Sequence, residues 1–428
     1  MNAPRQLGLL SATALVVASM IGTGIFTTSG FLLADLGSPW RVLLAWLVGG
    51  LVAGCGVLSY GALARRIPES GGEYLFLSRT LHPAAGYVAG WISLLVGFSA
   101  PLAAAAYGFG EYTKAWLPGW PPQASGSVLL VLFCALHALY VSGGARVQNF
   151  TVILKVALIV GFVGLGISRL PPLVPASAPA FSAGTFAVSL IWISFSYSGW
   201  NAAVYLGGEI RDPQRNLPRS LLLGTGLVTV LYLALNAVFL FSTTPAELSG
   251  KLEIGRIAAN ALGGAAWANA VTGLIALALG TSVSSMMMAG PRVYARMAAD
   301  GCLPRWLART SGPPLPAVLF QCFVALAMLW SATYDRLLTY IGFTLSLSTA
   351  ATVVGLIVLR RREGPQLAVP GWPWVPGLFL LAVLWMAFFS VARRPVESLV
   401  GFATIGLGWV AWQMNRRGAS AMGTKNEV

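Results

Sequence analysis

Runs of apolar residues long enough to cross a bilayer, about 20 residues each, follow one another along the whole chain. Short polar stretches separate them. The pattern predicts helices near 8–34, 41–64, 84–115, 126–144, 149–168 and 185–208. It predicts six more near 218–242, 264–297, 315–332, 335–359, 374–391 and 397–414. The expected architecture is therefore an all-α membrane protein of twelve spans. The polar stretches leave no room for a separate soluble domain, so residues 1–417 read as one transmembrane domain and 418–428 as a short tail. No charged, apolar and small-residue cleavage pattern precedes the first run, so that helix is expected to be retained.

Two of these helices are interrupted where a membrane helix is normally continuous. In the first, the run Leu15 to Met20 meets Ile21-Gly22-Thr23-Gly24 and resumes at Ile25-Phe26. In the sixth, the break falls in Ser194-Phe195-Ser196-Tyr197-Ser198-Gly199-Trp200. Breaks five helices apart predict two five-helix halves, about 8–168 and 185–359, with two extra helices at about 374–414. Because five is odd, the second half enters from the opposite face, which makes the repeat inverted. In such architectures discontinuous helices meet near the midplane and expose backbone groups to a substrate.

Composition agrees: 57% of the 428 residues are hydrophobic and 9% charged, where soluble domains carry about 25% charged residues. The net charge of +14 does not signal nucleic acid, since the basic residues lie between spans rather than on one folded face. Segments on the N-terminal side of the membrane hold 18 of the 27 Lys and Arg residues, those on the other side 8, and Lys155 lies within a span. This bias puts both termini in the cytoplasm, with the triple Arg360-Arg361-Arg362 as a topology anchor. High Ala, Gly, Arg and Pro usage suggests a bacterial inner membrane. Cys55, Cys134, Cys302 and Cys322 have neither metal nor disulfide spacing, and His82 and His137 are isolated, so no metal or other cofactor is expected. A phosphate loop for ATP is missing, as are a nucleophile elbow and a carboxylate dyad, so the chain does not read as an enzyme.

Unwound membrane helix is tolerated where protein, water or ligand satisfies the freed backbone groups. Gly22 and Gly24 permit the first break. The half-helix from Ile25 would present N–H groups and a positive dipole end to a carboxylate, while carbonyls ending the preceding half-helices suit an ammonium. A zwitterionic amino acid carries both charges on one carbon. Small-residue helix packing explains the glycines equally well, and Phe195, Tyr197 and Trp200 could be packing residues. Lys155 is the basic residue deepest in a span; its ammonium could occupy a cation's place between backbone carbonyls or exchange a proton, or it could snorkel to the helix end. Glu209 reads as a solvated helix end or a gate ion pair.

The motifs Ile21-Gly22-Thr23-Gly24-Ile25-Phe26, Pro68-Glu69-Ser70-Gly71-Gly72-Glu73-Tyr74 and Arg146-Val147-Gln148 leading to Lys155 occur in order. They are followed by Phe195 to Asn201, Glu209, Arg215-Asn216-Leu217-Pro218-Arg219 and the segment Pro291-Arg292-Val293-Tyr294-Ala295-Arg296 through Asp300 to Pro304. In these the chain resembles the amino acid-polyamine-organocation superfamily, especially its L-type amino acid transporter branch. The resemblance implies a LeuT-like fold of five plus five inverted helices. It implies a substrate site from Met20, Ile21, Gly22, Thr23, Gly24, Ile25, Phe195, Ser198 and Gly199. In it Thr23, Gly24 and Ile25 offer N–H groups to the carboxylate, and Met20, Phe195 and Ser198 offer carbonyls to the amine. Phe195 falls at the substrate-capping gate, and Lys155 at the lysine that replaces sodium. Where the family has a polar residue near that lysine, this chain has Met286, leaving Ser282 or Ser285 as substitutes, with Ser285 carried into the expected site. The loop between helices three and four lacks cysteine, so no disulfide-linked heavy chain is expected. The implied activity is sodium-independent exchange or proton-coupled transport of small to medium neutral L-amino acids. Cationic amino acid or polyamine transport, or amino acid sensing, is the alternative.

Overall fold

The computed structural model describes residues 7–139, 144–172, 180–299, 301, 303–308 and 314–423. Asp300, Cys302 and residues 424–428 of the tail lie outside the described residues, as do the side chains of Arg146, Val147, Gln148, Arg292 and Arg296. Among the described residues the chain is helical, with one isolated β-bridge joining Leu7 to Ile210.

The helices are α1 (Leu9–Met20), α2 (Gly24–Leu36), α3 (Pro39–Arg66), α4 (Gly72–Thr80), α5 (Pro83–Ile92), α6 (Ala100–Thr113), α7 (Pro122–Leu139) and α8 (Gly144–Ile167). After them come α9 (Ala183–Tyr197), α10 (Pro213–Phe241), α11 (Pro245–Leu248), α12 (Ile254–Ala299), α13 (Leu315–Ser331), α14 (Tyr334–Glu363), α15 (Trp374–Arg393) and α16 (Pro395–Gly423). Proline starts α3, α5 and α10, where its fixed φ suits the first turn and its missing N–H costs nothing. Among the described residues six helical stretches are long and apolar enough to cross a membrane, and α1 with α2, bent by 42° between them, makes a seventh. Pro122–Ala138, Val152–Ile167 and Leu315–Ser331 are shorter apolar helices. Exposed Leu378, Leu381, Leu384 and Phe388 on α15 are what hydrocarbon, not water, would cover.

Several expected helices differ in detail. The sixth, expected as 185–208, ends at Tyr197, and a 3-10 segment Ala202–Glu209 follows the break. The eighth, expected from 264, is preceded by a shorter helical stretch from Ile254, and the two meet at a kink at Gly264 (φ 75, ψ −172), where the backbone is not helical. The third contains a π-helical turn, Ser93–Ser99, between α5 and α6. The short helix α4 was not expected, since its glycines and charges interrupt the apolar pattern.

α1 packs on α10, α2 on α9, and α3 on both α9 and α10. The two broken helices therefore lie at the centre, with α12 and α14 among their neighbours.

Candidate substrate site at the two helix breaks

At the first break the Ile21 N–H still reaches Val17 O (3.0 Å) and the Gly22 N–H turns to Met20 O (2.8 Å). α2 then restarts at Gly24. Its first amides have no carbonyl one turn earlier to bond, and its dipole is positive at this end. At the second break the Ser198 N–H bonds Phe195 O (2.9 Å), Gly199 takes φ 96, and the Ala202 N–H bonds Gly199 O (2.9 Å).

The breaks interlock through their glycines. A Cβ on Gly24 would lie 2.6 Å from Ser196 Cα, and one on Gly199 would lie 2.6 Å from Ser19 O. Each helix thus leaves out a side chain where the other's backbone passes. The Thr28 and Ser196 hydroxyls are 3.2 Å apart beside this crossing. The Tyr232 hydroxyl of α10 spans both chains, 2.5 Å from Met20 O and 3.1 Å from Ser196 O.

Lys155, 6% exposed, donates to Ile21 O (3.3 Å) at the first break and to Ser282 Oγ (2.9 Å) on α12. Ser282, not Ser285, meets the lysine; the Ser285 hydroxyl donates to Thr281 O (2.9 Å) and lines the cavity described next. A lone ammonium this deep is costly, and here a carbonyl and a hydroxyl share its donors.

A cavity of about 390 Å³ opens beside the breaks. Gly22, Ser198 and Gly199 line it at the breaks, Ser285 and Met286 line one wall, and Gly342 and Ser346 of α14 line another. Glu73, Asn201 and Tyr205 also border it. Met20, Ile21, Thr23, Gly24, Ile25 and Phe195 are buried next to it rather than along its wall. The Met20 carbonyl, expected to hold an amine, receives Tyr232 and Gly22 in this conformation. The breaks thus bring the expected residues together, while Phe195 stands back from the space it was expected to cap.

Away from the cavity, the next turns of α2 are sealed. Tyr334 meets Thr27 Oγ1 at 2.5 Å and stacks between Phe31 and Tyr107, with ring centroids 6.1 and 5.7 Å away. Trp192 lies edge-on to Phe31 (6.1 Å) and donates to Thr339 Oγ1 (2.8 Å). Tyr334 and Ser348 are 14 residues apart on α14, about 21 Å at a rise of about 1.5 Å per residue, so the sealed end and the Glu73 end lie far apart.

Sequence reasoning missed Glu73. No acidic residue adjoins either break in sequence, yet Glu73 accepts from Asn201 Nδ2 (2.8 Å), two residues past Gly199. Among the described residues lining the cavity it is the one charged side chain. The signal available was its place in the Pro68 to Tyr74 motif.

Apolar helices in this number, two of them bent around a cavity that is sealed at one end, make this a multi-pass membrane protein with a site for a small solute. The sequence model of the family described as Amino acid permease matches residues 7–411. The chain belongs to that family, and is an amino acid transporter rather than an enzyme. It is similar to the mouse protein named Large neutral amino acids transporter small subunit 2, 31% identical over 94% of this chain and 80% of the relative. It is also similar to mouse Asc-type amino acid transporter 1, at 30% over 94% and 80%, and to mouse b(0,+)-type amino acid transporter 1, at 29% over 91% and 83%.

Proposed function

We propose that this chain exchanges small to medium neutral L-amino acids across a bacterial inner membrane by alternating access, without sodium. The observation that carries the reading is the cavity ending on the interlocked breaks. There the uncapped start of α2 suits a carboxylate, and Phe195 O and Ser198 O suit an ammonium. Thr23, Gly24 and Ile25 supply the N–H groups, Met20 O becomes available when Tyr232 shifts, and Phe195 moves in as the cap when the cavity closes. Lys155 with Ser282 takes the place of a bound cation, which removes the need for sodium. The names of the relatives, large neutral amino acids among them, support the neutral substrate.

In this reading α1 through α8 and α9 through α14 are the two inverted halves, about 8–168 and 185–359, with α15 and α16 added. The twelve spans leave both termini in the cytoplasm, and the Glu73 end of the cavity faces that side. Lys114 through Pro121, joining α6 to α7, offers no cysteine, so no disulfide ties the chain to a heavy subunit. Glu73 favours a second reading, cationic amino acids, since it would attract a side-chain ammonium.

Labelled alanine, leucine and lysine uptake into proteoliposomes tests this. Uptake of alanine or leucine that needs internal unlabelled amino acid and ignores sodium is expected. Uptake confined to lysine would establish the cationic reading, uptake driven by a proton gradient with empty vesicles would replace exchange by symport, and no flux of any amino acid would sink the proposal.

A further inference from the structure

The Glu73 carboxylate gathers donors from three separate elements. Oε1 accepts from Tyr60 OH of α3 (2.9 Å) and from Asn201 Nδ2 just past the second break (2.8 Å), and Oε2 accepts from Ser348 Oγ of α14 (2.5 Å). The side chain is 4% exposed yet borders the cavity. Asn201 continues into the 3-10 segment Ala202–Glu209, which with Leu345, Ser346 and Thr349 of α14 forms the cavity wall. One carboxylate thus ties the segment after the second break to the helix facing it.

We propose that Glu73 is a positioning residue for transport: ionised, it holds the segment after the second break against α14, and protonated, it lets them part. The proposal rests on the transporter reading and adds the group that times the movement of this end of the cavity.

The chemistry follows from the donor inventory. An ionised carboxylate only accepts, and all three of its partners donate to it. A proton on Oε1 would meet the Asn201 amide head on and force the Tyr60 hydroxyl to turn round and accept. A proton on Oε2 forces the Ser348 hydroxyl to turn round and accept. In either case the bonds lose their charge assistance, which roughly halves their strength.

Among the described residues no cation pairs with this carboxylate. Tyr60 faces it from α3 and Tyr205 from the 3-10 segment, and both are neutral at physiological pH. α14 presents hydroxyls, Ser348 and Thr352. α5, packed along α4, carries Tyr87 and, at its N-cap, His82, whose Nδ1 accepts from the Ala84 N–H. On α4 itself Arg79 is engaged by Glu69 at 2.5 Å on the exposed surface. No arginine or lysine is among the described residues lining the cavity. Burial pushes the Glu73 carboxyl up from its ordinary range, against the lowering effect of Ser348, Tyr60 and Asn201, so protonation comes at a higher pH than for an exposed glutamate.

The test measures alanine exchange in proteoliposomes over a pH range that starts at the ordinary glutamate value and runs upward, the direction in which burial moves this carboxyl. Wild-type protein is expected to change its maximal rate several-fold across this range with little change in KM. Glu73→Gln should flatten the profile, and Glu73→Asp should keep one with a displaced midpoint. A Glu73→Gln profile matching wild type overturns the proposal. A second measurement needs no substrate. Gly22→Cys is placed in a background with the four native cysteines replaced, and its labelling by a membrane-impermeant thiol reagent is compared with that of the same protein carrying Glu73→Gln. The thiol's own titration cancels in the ratio of the two rates. A ratio that changes about threefold or more over the pH range supports the latch, on the scale of bonds losing their charge assistance; a constant ratio overturns it. If wild-type protein moves no amino acid, the transporter reading fails while this ratio still decides the latch.

Discussion

The phenol of Tyr232 donates to the carbonyl of Met20 at 2.5 Å, from a helix that belongs to neither broken span. The same hydroxyl lies 3.1 Å from Ser196 O, so one oxygen sets the spacing of the two breaks. Both carbonyls lie where the helical ladder has run out, and Tyr232 is fully buried.

Tyr232→Phe should leave the ring packed against Trp46 and Tyr197 while stranding Ser196 O and leaving Met20 O with the Gly22 N–H alone. Leaving a buried acceptor unpaired costs about 1–3 kcal/mol. A lower unfolding temperature in detergent and a reduced maximal exchange rate are expected. An exchange rate equal to that of wild type would show that the breaks keep their spacing without the hydroxyl.

The two glycines of the first break should differ sharply on substitution. A Cβ on Gly24 runs into the backbone of Ser196, whereas the nearest atom to one on Gly22 is Met20 O at 3.9 Å. Gly24→Ala should cost about 1–3 kcal/mol as an overpacked contact and abolish exchange, and Ser196→Gly should not restore it, since the clash is with Cα. Gly22→Ala should fold normally and alter KM. Equal tolerance at both positions in a thermal-shift assay would contradict the interlocked geometry.

Lys155→Ala removes the donor to Ile21 O and Ser282 together. Loss of hydrogen bonds from a charged group, about 1.5–3 kcal/mol each, predicts at least about a tenfold fall in exchange. Ser282→Ala should fall less, and Ser285→Ala should act on KM through the cavity wall. A larger effect at Ser285 than at Ser282 would return the lysine's partner to the position first expected from the sequence.

These residues show where sequence pattern suffices and where it stops. The breaks were legible because glycine and polar residues interrupt an apolar run locally. Ser282 and Ser285 are three apart on one helix, close to the same face, so spacing could not choose between them; the choice depends on α8, 127 residues away from Ser282. Glu73 was harder still, since its donors are 13, 128 and 275 residues distant. Phe195 was placed by resemblance to a capped state, and in the conformation seen here it is packed away from the cavity.

Tyr334→Phe should loosen the sealed end by removing the bond to Thr27. With Gly22→Cys as reporter in right-side-out vesicles, an impermeant thiol reagent added outside should label the variant faster than the parent. Unchanged labelling would mean that ring stacking with Phe31 and Tyr107 holds the seal without the hydroxyl.

That aromatic seal has an electrical meaning for the cell. A water-filled path from the cavity through α2 would let protons and ions run down the membrane potential each time a substrate came or went. Moving an ion through a layer of stacked rings and a satisfied hydroxyl pair means shedding its hydration shell, at a cost of several kcal/mol. The cavity can therefore admit a solute from one side while the membrane keeps its charge, and amino acids cross without short-circuiting the ion gradients across the same bilayer.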